Sequence, residues 1–191
     1  MLNIKKRHYN LLELFFIFFV SFGLVFLFNI ERMYVLLGAA VIIIFLIFLR
    51  KERLNKYGVT KNQWKDSVKL SLVISVAAVI FLFFIKPFVE INLAEFSLVW
   101  LLPYIFISVP LQEFVFRGYV QTRLSEATIN RTETIVLTSF AFAIFHFPST
   151  SLIVMTFIIG LIWGYIFERY KTLAGPFISH VILGTYILTS I

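Results

Sequence analysis

The sequence predicts an all-α protein, a polytopic bundle of about seven transmembrane helices that occupies residues 1–191 as a single domain. The chain is 60% hydrophobic and only 14% charged, whereas soluble domains are about half apolar and a quarter charged. Apolar runs close to the roughly 17–25 residues needed to cross a bilayer recur along the whole chain. These runs are continuous and do not alternate, which disfavours a membrane β-barrel. The expected partner is the lipid bilayer, and the expected location is the cell (cytoplasmic) membrane.

Seven apolar runs define the predicted helices. They lie at about residues 12–30, 33–49, 68–85, 97–116, 134–147, 151–167 and 173–191. The fifth run is short for a span, so we expect its helix to begin near residue 130. Pro87 and Pro148 mark expected helix ends, and Gly175-Pro176 marks the expected start of the last helix.

Two of the runs contain residues that affect helix packing. Pro103 and Pro110 lie inside the fourth run, where interior prolines bend a helix. Such a bend either opens a cavity or is only a packing detail. Gly160 and Gly164 in the sixth run form a small-xxx-small pattern, which lets helix backbones approach closely. We interpret this pattern as packing within the bundle, with a homodimer face as the alternative.

The positions of Lys and Arg predict the orientation in the membrane. Basic residues cluster at the N-terminus and in the loops after the second, fourth and sixth helices, while Arg32 and Lys86 fall on the other side. The loop after the fourth helix is predicted to hold Arg117, Arg123 and Arg131. This bias places the N-terminus in the cytoplasm. The net charge of +7 then favours an anionic leaflet as partner, with no nucleic acid.

Four ionisable residues lie deep in the apolar runs, namely Glu113, Arg117, His146 and His180. Glu113 and Arg117 are four positions apart, which places them on one helix face within pairing distance. Charges inside a membrane are costly, so they are usually paired and often functional. At 1.5 Å per residue, Glu113, His146 and His180 lie about 16, 20 and 10 Å from the cytoplasmic edge. Three helices are therefore expected to bring these side chains into one layer.

Two kinds of chemistry fit this layer. A carboxylate and histidines suit general-base activation of water. Glu113, His146 and His180 also match a two-histidine, one-carboxylate site for one divalent metal such as zinc. The structural alternative is an ion pair together with histidines that only bridge helices. A transporter is a third class, although no paired halves are seen in the sequence.

Three motifs resemble those of the CAAX prenyl protease 2 and bacteriocin-processing family, also called CPBP or Abi. The stretch Gln112-Glu113-Phe114-Val115-Phe116-Arg117 resembles its Glu-Glu-x-x-x-Arg motif, and Phe142-Ala143-Ile144-Phe145-His146 resembles Phe-x-x-x-His. Ser179-His180-Val181-Ile182-Leu183-Gly184 resembles its third motif, His-x-x-x-Asn. The motifs occur in the family's order, within a family-like core at about 97–190.

The resemblance implies an intramembrane endopeptidase that hydrolyses a peptide or lipidated-protein substrate. In such enzymes the paired glutamates and the first histidine activate water, while the second histidine and the asparagine stabilise the oxyanion. The implied catalytic positions here are Gln112, Glu113, Arg117, His146 and His180. The chain departs from the pattern twice, because Gln112 replaces the first glutamate and Gly184 replaces the asparagine. The alternative is a catalytically impaired member that acts as a bacteriocin immunity protein or a membrane scaffold.

Overall fold

The computed structural model describes residues 4–85, 98–127 and 130–190. These residues form seven long helices and no strand, which confirms the predicted all-α fold. The helices are α1 (Ile4–Phe26), α2 (Arg32–Leu49), α3 (Trp64–Ile85), α4 (98–127), α5 (Arg131–Ile144), α6 (Thr150–Tyr170) and α7 (Ala174–Ser190), with a short 3₁₀ turn (Leu54–Tyr57) between α2 and α3. Lys86 and Pro87, used above for orientation and for a helix end, lie outside the described residues.

Four of the helices are long and apolar enough to cross a membrane. They are α1 from Arg7 onward, α2, α3 and α6, while α7 is a shorter apolar helix. This agrees with a multi-pass membrane protein. The cytoplasmic position of the N-terminus stays a prediction.

Helix α4 contains two π-helical segments along its length. It runs through a 3₁₀ turn and short α segments into π segments at Tyr104–Ser108 and Phe114–Gln121, and every junction residue keeps right-handed helical angles. The prolines lie beside the first π segment, at 103 and 110. A proline lacks the backbone N–H and crowds the preceding turn, so a wider turn accommodates it. The π turns therefore set the direction of the side chains that lie between and after them.

The ends of the later helices follow the predicted signals. The Asn130 side chain accepts a hydrogen bond from the backbone N–H of Thr132 and caps α5. Pro148 lies between α5 and α6, and Gly175-Pro176 lies in the first turn of α7. The fifth helix thus begins where the short apolar run required, and it ends two residues before His146.

Helix α5 packs along α6, and α3 packs along α7. The two glycines of α6, Gly160 and Gly164, allow α5 to pack closely against α6. A Cβ added at Gly160 would lie 3.1 Å from the Cβ of Ser139, and one at Gly164 would lie 3.0 Å from the Cγ2 of Ile135. The small-xxx-small pattern therefore serves packing within the bundle, as interpreted from the sequence.

A polar cluster joins α1, the segment after α2 and the end of α4. We call it the Arg123 cluster, and its members are Glu13, Arg50, Glu52, Lys56, Tyr57, Tyr119, Arg123 and Glu126. Arg123 donates to Glu52 at 2.5 and 3.1 Å and to Glu126 at 3.2 Å. The predicted loop position of Arg117 and Arg123 was wrong, because α4 continues to residue 127 and both side chains are buried. Carboxylates within the protein neutralise both guanidinium groups, so the two arginines do not need to be hydrated.

Glu52 in this cluster lies outside the membrane-spanning segments. Partial burial raises its pKa, but hydrogen bonds from Arg123, Lys56 and Tyr57 outweigh burial and bring the pKa down to about 2. The carboxylate is therefore charged throughout the physiological range, and it holds the end of α4 against the turn that follows α2.

Candidate active site

Glu113 and His180 are in direct contact inside the bundle. His180 Nδ1 lies 2.7 Å from Glu113 Oε1, and the two side chains are 7% and 1% exposed. A carboxylate can only accept a hydrogen bond when it is ionised, so Nδ1 carries the proton. The Nε2 atom of a neutral His180 is then the acceptor. Helices α4 and α7 thus present a carboxylate–imidazole pair.

Arg117 neutralises Glu113 from the next turn of α4. Its Nε lies 3.6 Å from Glu113 Oε2, and its side chain has no exposed surface. The guanidinium is centred 4.3 Å from the Phe142 ring and 5.3 Å from the Trp163 ring. None of its three nitrogens has a hydrogen-bond partner among the described residues. We call Glu113, Arg117 and His180 the Glu113 cluster.

The imidazole of His180 is fixed on its other side by Trp163. The two rings are stacked, with centroids 4.5 Å apart and planes 24° apart. Trp163 Nε1 donates to Ser179 Oγ at 2.8 Å, and the Ser179 hydroxyl donates in turn to Ser75 Oγ at 2.8 Å, because the Ser75 proton is given to the carbonyl oxygen of Ser71. Helices α3, α6 and α7 therefore hold one ring orientation of His180.

A cavity of about 690 Å³ lies between α1, α2, α4 and the end of α5. Most of its lining is apolar, as expected for a site that takes a hydrophobic ligand. Its polar lining side chains are Ser21, Arg32, Ser108, Gln112 and His146. Gln112 and His146, two of the predicted site residues, thus line this cavity.

Gln112 and His146 have defined orientations at the cavity wall. Gln112 Nε2 donates to Ser108 Oγ at 2.8 Å, one turn earlier in α4. His146 Nδ1 lies 3.2 Å from the carbonyl oxygen of Phe142. Because a carbonyl can only accept, Nδ1 of His146 carries the proton and Nε2 holds a lone pair. A neutral His146 is therefore in the tautomer that can accept a proton at Nε2.

The ring of Phe142 contacts both predicted site histidines. It lies 5.0 Å from the ring of His146 and 5.7 Å from the ring of His180, measured between centroids. Glu113, Arg117 and His180 form a buried group, and Gln112 and His146 line the cavity. The single catalytic layer expected from the depth calculation stays a prediction.

Two of the three proposed metal ligands, Glu113 and His180, are in direct contact. Within residues 4–85, 98–127 and 130–190, no three His, Asp or Glu side chains are close enough to share an ion. Glu113 Oε1 already binds His180, while Oε2 faces Arg117. The zinc site therefore stays a prediction for metal analysis.

Several residues of the site carry no strong signal in the sequence. Trp163, Ser179 and Ser108 lie in apolar runs and look like packing residues, yet they orient His180 and Gln112. Phe142 belongs to the second motif, and its contact with His180 depends on where α5 and α7 lie relative to each other. A buried indole N–H normally needs a hydrogen-bond acceptor. That Trp163 has such an acceptor was therefore the one of these contacts that could be inferred from the sequence.

Residues 94–185 match the family model of Rce1-like proteins, described as type II CAAX prenyl endopeptidases. The matched segment contains all three motifs. The resemblance is therefore confirmed over this part of the chain, and it is to a family of proteases. No curated protein and no solved structure matches the chain at a significant level.

Proposed function

We propose that this chain, whose residues 94–185 match the Rce1-like endopeptidases, is an intramembrane endopeptidase that hydrolyses a peptide or lipidated-protein substrate. The observation that carries the proposal is the pair Gln112 and His146 on the wall of a largely apolar cavity inside the bundle. A base and a polar amide in a water-poor volume are what hydrolysis of a hydrophobic peptide requires.

In the proposed reaction, His146 is the general base. Its Nε2 takes a proton from water as the water oxygen attacks the carbonyl carbon of the scissile amide. The C–N bond then breaks, and the same proton passes from Nε2 to the leaving nitrogen. The products are a carboxyl group and an amine, so no further reactant is needed.

Gln112 orients the water in this scheme. One amide hydrogen is held by Ser108, which leaves the amide oxygen to accept a hydrogen bond from the attacking water. A glutamine cannot take a proton, so replacing the family's first glutamate need not remove activity if His146 performs the transfer. In this scheme His146 is the general base, and residue 112 is not.

The Glu113 cluster has a supporting role. Glu113 is a fixed anion between Arg117 and His180, and it stabilises the imidazolium form of His180. In that form Nε2–H is a donor for negative charge that develops on the substrate carbonyl. Glu113 thus acts on His180 as the carboxylate of a catalytic triad acts on its histidine, because it orients the ring and stabilises the charged form.

The test is cleavage of a farnesylated peptide ending in a CAAX sequence, and of its unmodified form, by the purified full-length protein in lipid. We expect His146→Ala to lower kcat by about 10²–10⁴-fold, the usual contribution of general-base catalysis, and His180→Ala to lower it strongly. His8→Ala, at an exposed position in the N-terminal part of α1, is the matched control and should retain full activity.

Full proteolysis by both His146→Ala and His180→Ala would contradict the proposal. The alternative role, a bacteriocin immunity protein or scaffold, predicts no cleavage by the wild type and protection of cells that survives both substitutions. Metal analysis of the same preparations separates the metal variant, which predicts about one zinc per chain that is lost in either histidine variant.

A further inference from the structure

Gly184 on α7 leaves a notch that a side chain from α4 fills. A Cβ added at residue 184 would overlap the hydroxyl oxygen of Tyr104 and lie 2.7 Å from its Cζ. The phenol of Tyr104 therefore occupies the place where residue 184 would carry its own side chain. Position 184 is one of the two departures from the family pattern, because glycine stands there instead of asparagine. The structure places the Tyr104 hydroxyl where that side chain would be.

The Tyr104 hydroxyl is beside the Glu113 cluster. The Tyr104 ring meets the His180 ring edge-on, with centroids 6.2 Å apart, and the phenol is within electrostatic range of Glu113. His180 and Gly184 are one turn apart on α7, so the two groups are neighbours along one face.

Tyr104 is half-buried, and its hydroxyl makes no hydrogen bond among the described residues. A phenol in an apolar interior normally finds a partner. Tyr104, Ser108 and Gln112 are spaced by four residues on α4, and the last two line the cavity. Tyr104 thus extends by one turn the row of polar side chains formed by Ser108 and Gln112, the residue proposed to orient the water.

We propose that the Tyr104 hydroxyl is a catalytic hydrogen-bond donor to the carbonyl oxygen of the scissile amide, and that it replaces the donor absent at Gly184. This inference rests on the proposed endopeptidase function. When water attacks, the carbonyl oxygen becomes an oxyanion, and a preorganised O–H stabilises it more than the ground-state carbonyl. A phenol donates in either protonation state of His180, whereas the His180 Nε2 donates only as imidazolium.

The competing explanation is packing alone, in which the ring fills the notch and the oxygen has no role. Tyr104→Phe separates the two because it keeps the ring and removes one oxygen. We expect kcat to fall by about 10²–10³-fold, the usual effect of losing one oxyanion donor, with KM and the melting temperature close to wild type. Tyr186→Phe on α7, whose ring is also partly buried against the core, is the matched control and should keep full kcat.

A second variant pair tests the position of the donor. Tyr104→Ala empties the notch and should lose activity, whereas Tyr104→Ala with Gly184→Asn returns an N–H donor from α7 and should recover at least tenfold in kcat over Tyr104→Ala. A Tyr104→Phe protein with wild-type kcat would overturn the inference and leave the endopeptidase function standing. Absence of cleavage by the wild type would instead overturn the endopeptidase function, and the inference with it.

Discussion

Helix α4 carries two buried arginines six positions apart whose surroundings differ in kind. Arg123 donates hydrogen bonds to two carboxylates and lies beside the rings of Tyr57 and Tyr119. Arg117 has the same burial, yet within the described residues it makes no hydrogen bond, and it forms a 3.6 Å ion pair with Glu113 and contacts two aromatic faces. Buried charges are normally hydrogen-bonded, so a guanidinium without such bonds needs a reason.

We interpret the difference as that between a structural charge and one that serves the proposed reaction. The Arg123 cluster has nearly all its polar atoms paired, as expected of a contact that fastens α1 and the segment after α2 to α4. The Glu113 cluster leaves Glu113 Oε2 and the Arg117 nitrogens without hydrogen bonds in the described part of the chain. Incompletely paired ionisable groups gather at active sites, which agrees with the role proposed for Glu113 and His180.

The same substitution at both arginines tests this contrast most strongly. Arg117→Met should lower the free energy of unfolding by about 3–5 kcal/mol, because it leaves the Glu113 carboxylate buried without its cation. Arg123→Met should cost about 1–3 kcal/mol, because Glu52 and Glu126 keep Lys56 as a partner. Peptide cleavage should be lost in Arg117→Met and kept in Arg123→Met.

A charge-neutral double variant sharpens the result. Glu113→Gln combined with Arg117→Met removes both buried charges, so stability should return to within about 1–2 kcal/mol of wild type while activity stays absent. Denaturant titration of the purified proteins measures the first quantity. An Arg117→Met protein as stable and active as wild type would remove the distinction between the two clusters.

Glu52→Gln should change the pH dependence of stability without changing cleavage. The pKa of Glu52 is about 2 in the folded protein against an ordinary value of 4.5. Its stabilising contribution is therefore complete above pH 4.5 and is lost as the pH falls through 2. The side chain is partly exposed, so we expect only about 1 kcal/mol after solvent screening. Melting temperatures from pH 2 to 7 should show a smaller acid loss in Glu52→Gln than in wild type, and parallel curves would contradict the pairing.

Gly160→Ala should have the smallest effect on stability and act mainly through Arg117. Its added Cβ would lie 3.3 Å from Arg117 Nη2 and 3.1 Å from the Cβ of Ser139, so Arg117 must shift. We expect a loss of about 1 kcal/mol and a several-fold decrease in kcat. Gly38→Ala in α2 is the control, because nothing lies within 4 Å of its added Cβ. It should be neutral or stabilising by about 0.5–1 kcal/mol.

The helices, their order and the composition of the site were accessible from the sequence. Continuous apolar runs predict spans because a bilayer leaves few alternatives to helices, and the motif residues are the few ionisable groups within those runs. The end of α4 was misplaced because Arg117 and Arg123 look like loop residues until their carboxylate partners are known. Those partners come from distant parts of the chain, and Glu52 precedes Arg123 by 71 positions.

The arrangement of the site could not be predicted from helix depth alone. Depth along a helix axis says nothing about which way a side chain points, and the π segments of α4 alter that direction between Tyr104 and Gln121. Phe142 contacts both His146 and His180, and this contact depends on how α5 packs against its neighbours. The notch at Gly184 is likewise visible only when Tyr104 of another helix is placed in it.

The central claim is that His146 takes the proton of the attacking water and that Gln112 only orients it. The most direct measurement compares single-turnover cleavage of the farnesylated CAAX peptide by Gln112→Ala and His146→Ala proteins. We expect Gln112→Ala to lose about tenfold, as for one orienting hydrogen bond, and His146→Ala to lose about 10²–10⁴-fold. A His146→Ala protein that cleaves at the wild-type rate, or a greater loss in Gln112→Ala than in His146→Ala, would contradict the assignment of the base.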